Sequence, residues 1–317
     1  MILNIILSLV GFIMLIKCAD FFVDGAASFA KNLKIPTVVI GLTIVAFGTS
    51  APELAISFSS HLSGNTDILF GNVLGSNIAN ILLILGLAIL ILPFKVEKDV
   101  IKKEIPILLI ITLGASVLFL DSLFLDSPYN GLCRSDGIIL ILFFSIFVYY
   151  LISILRAERD NTKTVEEPKF KLAVSVMLMA AGLGGIILGS NLVVDNLAAF
   201  AESVGISQKI ISVTIVSIGT SLPELVTTIT AAKKGENNMA IGNIVGSNIF
   251  NIAIVLGLPV LVLGEATTTA FGVVDIAFLI AAVLFLWMFA ATSRKLQRVE
   301  GVVFIAIYCV YLGYVIR

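Results

Sequence analysis

Charge is scarce in this 317-residue sequence, where Asp, Glu, Lys and Arg together make up 13%, about half the share of an ordinary soluble domain. Hydrophobic residues reach 59% and mean hydropathy is +1.10, so polar surface is too small to cover a soluble core and a bilayer must solvate much of the chain. A cytosolic enzyme is excluded first, and no catalytic constellation or cofactor is expected. The net charge of −1 and the lack of a basic domain exclude nucleic acid as a partner. Metal-binding nitrogen and sulfur are as rare. There is one histidine, His61, and the three cysteines, Cys18, Cys133 and Cys309, form no metal-ligand spacing and no disulfide framework. The first sixteen residues lack a basic leader and an A-x-A cleavage signal, so they read as part of a spanning helix.

Long apolar runs are what the sequence has instead. Ten segments approach the roughly 20 residues of a helical crossing: 2–28, 36–60, 68–92, 105–120, 137–155, 172–190, 206–232, 239–263, 271–291 and 300–316. They are continuous, whereas membrane β-strands would alternate over about ten residues. Numbering the connectors alternately places sixteen of the twenty Lys and Arg residues on one side. Among them are Lys31, Lys34, Lys95, Lys98, Lys102, Lys103, Arg156, Lys169, Lys171, Lys233, Lys234, Arg294, Lys295 and Arg298. By the positive-inside rule that side is cytoplasmic and both termini face outward, as expected for a multi-pass protein of the cell membrane. The segment from Arg156 to Lys171 mixes both charge signs with Pro168 and reads as a linker. The expected division is 1–155, a cytoplasmic linker 156–171, and 172–317.

The two halves repeat. GLTIVAFGTSAPEL at 41–54 recurs as SVTIVSIGTSLPEL at 212–225, an offset of 171. Without a gap, Gly71-Asn72 meets Gly242-Asn243, Gly75-Ser76-Asn77-Ile78 meets Gly246-Ser247-Asn248-Ile249, and Asn80 meets Asn251. Five spans per half is an odd number, so the second half enters the membrane from the opposite face. The expected fold is an all-α membrane protein of ten transmembrane helices in two inverted five-helix repeats, with ion sites where the halves meet near the midplane.

Each copy carries Gly-Thr-Ser-x-Pro-Glu in mid-span, at Gly48 to Glu53 and at Gly219 to Glu224. A carboxylate at a helix centre costs about 2.5–3.5 kcal/mol to insert. Pro52 and Pro223 each remove a backbone donor, which should free the carbonyls four residues earlier, at Gly48 and Gly219. Facing each other, Glu53 and Glu224 would share one dry site, tolerable only with a cation or proton between them. Oxygen ligands and a formal charge of −2 suit Ca2+, while zinc or copper would want His or Cys. Ser76 with Asn80, and Ser247 with Asn251, are spaced i and i+4, so each pair offers neutral oxygens from one helix face to a monovalent ion. Asp24 and Asp195 match across the repeat but sit near span ends, where capping or solvation is expected. Lys17 is expected to pair with Asp20 or to snorkel.

These paired signatures resemble the cation/calcium exchanger superfamily, and the chain looks like a prokaryotic sodium/calcium exchanger over essentially its whole length. The resemblance implies antiport of Ca2+ against Na+, commonly three, through one cluster of sites. It makes Glu53 and Glu224 the calcium-binding carboxylates, with backbone oxygens of Thr49 and Thr220. Ser50, Ser221, Ser76 and Ser247 would line flanking Na+ sites, with main-chain carbonyls of Ala46 and Ser217, and Asn80 and Asn251 would complete the centre. Potassium-dependent relatives carry Asp where this chain has Asn251, so potassium co-transport is not expected. Spans one and six are the expected moving elements. An H+/Ca2+ antiporter of the same superfamily is the alternative, because two dry carboxylates could hold protons. A passive channel would need a continuous polar stripe and a scaffold would leave the doubled acids without purpose. No obligate protein partner is evident.

Overall fold

The apolar runs form helices, as expected for segments whose backbone groups find no water to bond. The computed structural model describes residues 2–159, 167–204 and 217–315. In chain order the helices are α1 (Ile2–Leu33), α2 (Thr37–Thr49), α3 (Ala51–Leu62), α4 (Thr66–Ile91), α5 (Ile105–Phe119) and α6 (Arg134–Arg159). They continue with α7 (Leu172–Ser203), α8 (Ser217–Thr220), α9 (Leu222–Lys233), α10 (Asn237–Leu263), α11 (Val273–Ser293) and α12 (Arg298–Val315). Among the described residues, seven helices are long and apolar enough to cross a membrane. The bent pair α2 and α3 raises this to eight. The expected span at 105–120 yields only the 15 residues of α5, preceded by a wide π-helical turn, Val100–Glu104, that carries Lys102 and Lys103. Of the expected span 206–232, residues 205–216 lie outside the described residues. So does much of the linker, residues 160–166.

The helices sort into a shell and a centre. In α4 and α10, 72% and 83% of the apolar window is buried, against 28% in α1, 33% in α7 and 17% in α6. The outer helices turn Ile13, Met177, Ile146 and Val310 outward, an apolar coat far larger than a soluble protein exposes. Helices α1 and α7 lie antiparallel along each other. A Cβ on Gly11 would stand 2.9 Å from the Gly189 carbonyl, and one on Gly182 would stand 2.7 Å from the Phe22 nitrogen. Glycine lets these backbones touch, the close packing expected where lipid gives helices no hydrophobic reason to associate.

Two small ribbons tie the halves at opposite ends. Strand β1 (Phe94–Lys95) pairs antiparallel with β4 (Lys295–Leu296), Phe94 opposite Leu296, while β2 (Asn130–Leu132) pairs with β3 (Ala266–Thr268), Asn130 opposite Thr268. Basic residues gather at the first end. Lys234 reaches Asp24 at 2.6 Å and Asp20 at 3.4 Å, and Lys169 reaches Asp24 at 2.7 Å. This corrects the sequence reading of both acids. Asp24 is the hub of an ion-pair network rather than a solvated cap, and Asp20 pairs with Lys234 rather than with Lys17, because Lys234, directly after α9, reaches both acids on α1. At the other end Thr66 Oγ1 donates to the Thr267 carbonyl at 2.5 Å and His61 Nε2 lies 3.3 Å from the Glu265 carbonyl.

The internal correspondence extends beyond the motifs. Ile105, Leu108, Ile111, Thr112, Ala115 and Phe119 are buried, and 171 residues later so are Ile276, Leu279, Ala282, Val283, Leu286 and Ala290. Close approaches also come in pairs. A Cβ on Gly137 would meet the Gly257 carbonyl at 2.9 Å, and one on Gly301 would meet the Gly86 carbonyl at 2.8 Å. Gly86 and Gly257 are themselves repeat partners.

Candidate ion site

The site begins with two broken helices. Backbone leaves the helical region at Ser50, φ −86° and ψ 7°, and at Ser221, φ −90° and ψ 4°. Pro52 and Pro223 then occupy the first turns of α3 and α9, where a missing N–H costs nothing. Helices α2 and α3 meet at 44°. Glu53 and Glu224 therefore fall in the first turn of a new helix, where the positive end of the helix dipole favours a negative group.

Both carboxylates are 1% exposed, and they come from opposite halves into one region. Ser50 Oγ donates to Glu224 Oε1 at 2.9 Å, across a sequence separation of 174 residues. Glu53 lies within electrostatic reach of Glu224. Thr49 Oγ1 stands 3.3 Å from both the Ala46 carbonyl and Asn243 Oδ1, and Ser247 Oγ approaches the same Ala46 carbonyl at 3.5 Å. Thus Glu53, Glu224, Ser50, Thr49, Ala46 and Ser247 are brought together. Ser76, Asn80, Ser221 and Asn251 are also buried, on elements packed around that centre, and Thr220 is half-buried. For Ser217 only the backbone, in α8, is described.

The chemistry that stands out is acceptor oxygen with nothing to accept. Both oxygens of Glu53, Glu224 Oε2, Ser221 Oγ and the whole side-chain amides of Asn80 and Asn251 are buried without a hydrogen-bond partner among the described residues. Each such group costs about 1–3 kcal/mol, and more if charged, so their convergence is a strong departure from ordinary interiors. Oxygen ligands on a bound cation remove that cost. Among the described residues no cluster holds three or more His, Cys, Asp or Glu, which leaves the two glutamates as the anionic complement.

Asn80 and Asn251 each open a wide π-helical segment, Asn80–Leu85 and Asn251–Leu256. Such segments cost helix stability and concentrate at functional positions. Periodicity could not disclose them. The carbonyl at Gly219 is not free as the sequence suggested, because Ser190 Oγ of α7 donates to it at 2.8 Å. Ser190 has Ala19 as its repeat counterpart, so the doubled motif gave no hint of it.

Two further pairs escaped the candidate list. Asn72 Nδ2 donates to the Glu53 carbonyl and to Ser57 Oγ, both at 3.0 Å, and Asn243 Nδ2 donates to Thr228 Oγ1 at 2.9 Å. These bonds fix α3 on α4 and α9 on α10 beside each glutamate. Their signal was in the sequence all along, as Ser57 and Thr228 are also repeat partners.

A multi-pass, largely helical membrane scaffold with buried acids at paired helix breaks is the architecture of a membrane transporter. The chain belongs to the sodium/calcium exchanger protein family, whose model matches residues 3–153 and 174–317. It is 36% identical to the inner membrane protein YrbG of Escherichia coli, over 99% of this chain and 97% of that one. It is 34% identical to the sodium/calcium exchanger MaX1 of Methanosarcina acetivorans, over 98% of this chain and 97% of that one. A solved structure of the sodium-calcium exchanger NCX_Mj, soaked with 2.5 mM Na+ and 0.1 mM Ca2+, superposes with a TM-score of 0.84 at 32% identity, covering 99% of this chain and 98% of that one.

Proposed function

We propose that this protein is an antiporter that exchanges Ca2+ for Na+ across the cell membrane by alternating access at a single site near the membrane midplane. The observation that carries the proposal is the pair of buried glutamates at matched helix breaks, with unpartnered oxygens around them. Glu53 and Glu224, with main-chain oxygens of Thr49 and Thr220, hold Ca2+. Ser50, Ser221, Ser76 and Ser247, with the carbonyls of Ala46 and Ser217, serve Na+, and Asn80 and Asn251 complete the centre. Ca2+ neutralises the two carboxylates, and so would two Na+. A third Na+ makes the exchange electrogenic, so that membrane voltage biases it by about 2.3 kcal/mol per charge per 100 mV. Only a site whose carboxylates are satisfied can cross between the two sides, because two bare charges in low dielectric oppose closure.

The same proposal includes ten spans in two inverted repeats, 1–155 and 172–317, joined by a cytoplasmic linker. The antiparallel α1 and α7, the paired approaches Gly137 to Gly257 and Gly301 to Gly86, and a family match in two parts support it. Gathering of the basic connectors at one end supports an orientation with both termini outside. Helices α1 and α7, joined to each other along small residues, move against the buried centre.

The test is labelled Ca2+ uptake into proteoliposomes loaded with Na+, at equal pH on both sides. Uptake driven by outward Na+, and accelerated by a potential that draws positive charge out of the vesicle, is expected. Uptake that ignores Na+ and follows only a proton gradient would assign the protein to H+/Ca2+ exchange instead.

A further inference from the structure

At the basic end, remote from the ion site, a cleft of about 580 Å³ opens between α5 and α6. Its lining is apolar at Ile107, Ile110 and Ile154, and its rim carries Lys102, Lys103 and Asp99. Tyr150 forms one wall. Its hydroxyl donates to the buried Glu104 carboxylate at the base of α5, which holds the two helices at a fixed spacing. Lys103 is paired with Asp99 at 3.0 Å, so the rim keeps one excess positive charge. Seven residues separate Lys103 from Ile110, about 10 Å along a helix, and Ile110 is 62% exposed on the coat of the molecule. The cleft therefore runs from a cationic rim at the membrane surface down to hydrocarbon depth.

Comparison of the two halves shows that the scaffold does not require these lysines. The positions 171 residues on from Asp99, Lys102 and Lys103 are Ala270, Val273 and Val274, although six of the buried positions of α5 are buried again in α11. Charge has been placed in one copy only, on the end where basic residues collect. A free anion would be served by the rim alone and has no use for the apolar floor. A neutral lipid has no use for the rim.

We propose that this cleft is a binding site for one anionic phospholipid, its phosphate held at Lys102 and Lys103 and the start of an acyl chain laid along Ile107 and Ile110. One excess rim charge matches a headgroup of single negative charge, such as that of phosphatidylglycerol. Basic pockets between membrane helices recognise headgroups in this way, at about 1 kcal/mol for each lysine near the surface. The proposal is independent of which ions the protein carries.

The test is native mass spectrometry of the full chain released from mixed phosphatidylglycerol and phosphatidylcholine bilayers. The wild type should retain phosphatidylglycerol preferentially, and Lys102→Ala and Lys103→Ala should each reduce that preference about fivefold. Lys98→Ala, on the same end but outside the cleft, should leave it unchanged. Lys102→Arg should retain it. Three results would overturn the proposal: no preference between the lipids, an equal loss in Lys98→Ala, which would make the effect general surface charge, or displacement of the lipid by inorganic phosphate, which would make the site one for free anions.

Discussion

Glu53 and Glu224 hold equivalent places in two copies of one motif, yet their surroundings differ. Glu224 accepts a hydrogen bond from Ser50, while the reciprocal donor, Ser221, leaves both Glu53 oxygens without a partner among the described residues. The flanks differ as well. Ala51 is exposed and Asn72 half-buried, whereas their counterparts Leu222 and Asn243 are buried. At these two flanking positions the second copy is packed and the first reaches the surface. Duplicated sequence has thus produced duplicated chemistry without a symmetric site. If the protein works by alternating access, this asymmetry is the quantity that reverses, and each of its members can be tested against its twin.

The largest effect should come from the acids themselves. Glu53→Gln and Glu224→Gln should each lower Na+-driven Ca2+ uptake by about 100-fold or more, since a buried charge-assisted contact to a divalent ion is lost. A silent result for either would mean that the two copies do not share a cation. The serines come next. Ser50→Ala removes a donor to a carboxylate, an interaction of about 1.5–3 kcal/mol, so half-saturation for Ca2+ should shift about tenfold. Ser221→Ala should shift it less. Equal shifts would show that the reciprocal bond, Ser221 to Glu53, forms as often in the working cycle.

A smaller contrast is expected in stability. Asn243 is fully buried and bonded through both ends of its amide, to Thr228 and Thr49, whereas Asn72 is partly exposed. Asn243→Ala should therefore cost about 1–3 kcal/mol and Asn72→Ala less, read as the shift of the thermal unfolding midpoint in detergent. A larger loss at Asn72 would reverse the packing order given to the two copies.

Much of this was legible in the sequence because the informative residues are doubled. Apolar runs give the helices, and Gly-Thr-Ser-x-Pro-Glu twice gives the breaks and the acids, since proline and a buried charge are costly whatever surrounds them. Ser190 was not legible. Its bond to Gly219 depends on how α7 crosses the broken helix, and no repeat partner advertises it. The π-helical segments at Asn80 and Asn251 were hidden for a different reason: one extra residue in a turn leaves composition and motif unchanged. The ion pairs of Asp24 were misread because their lysines, Lys169 and Lys234, are 145 and 210 residues away in sequence.

The smallest expected effect separates the connectors that follow α5 and α11. The first is acidic: Asp121 lies near Asp136 and Glu265, and burial first, then those two charges, raise its carboxyl above the usual aspartate range. The second carries Arg294 and Lys295 instead. Because the folded protein binds the Asp121 proton more tightly than the unfolded chain does, folding is favoured while the group is protonated in both states. That advantage is lost as pH rises from the ordinary value near ~3.9 through the folded one. The unfolding midpoint should accordingly fall across this window, and Asp121→Asn should flatten the slope. Thr292→Asp, which puts an acid at the corresponding place beside Arg294 and Lys295, should tilt the slope the other way, because cations nearby lower a carboxyl in the folded state and lend stability that grows with pH.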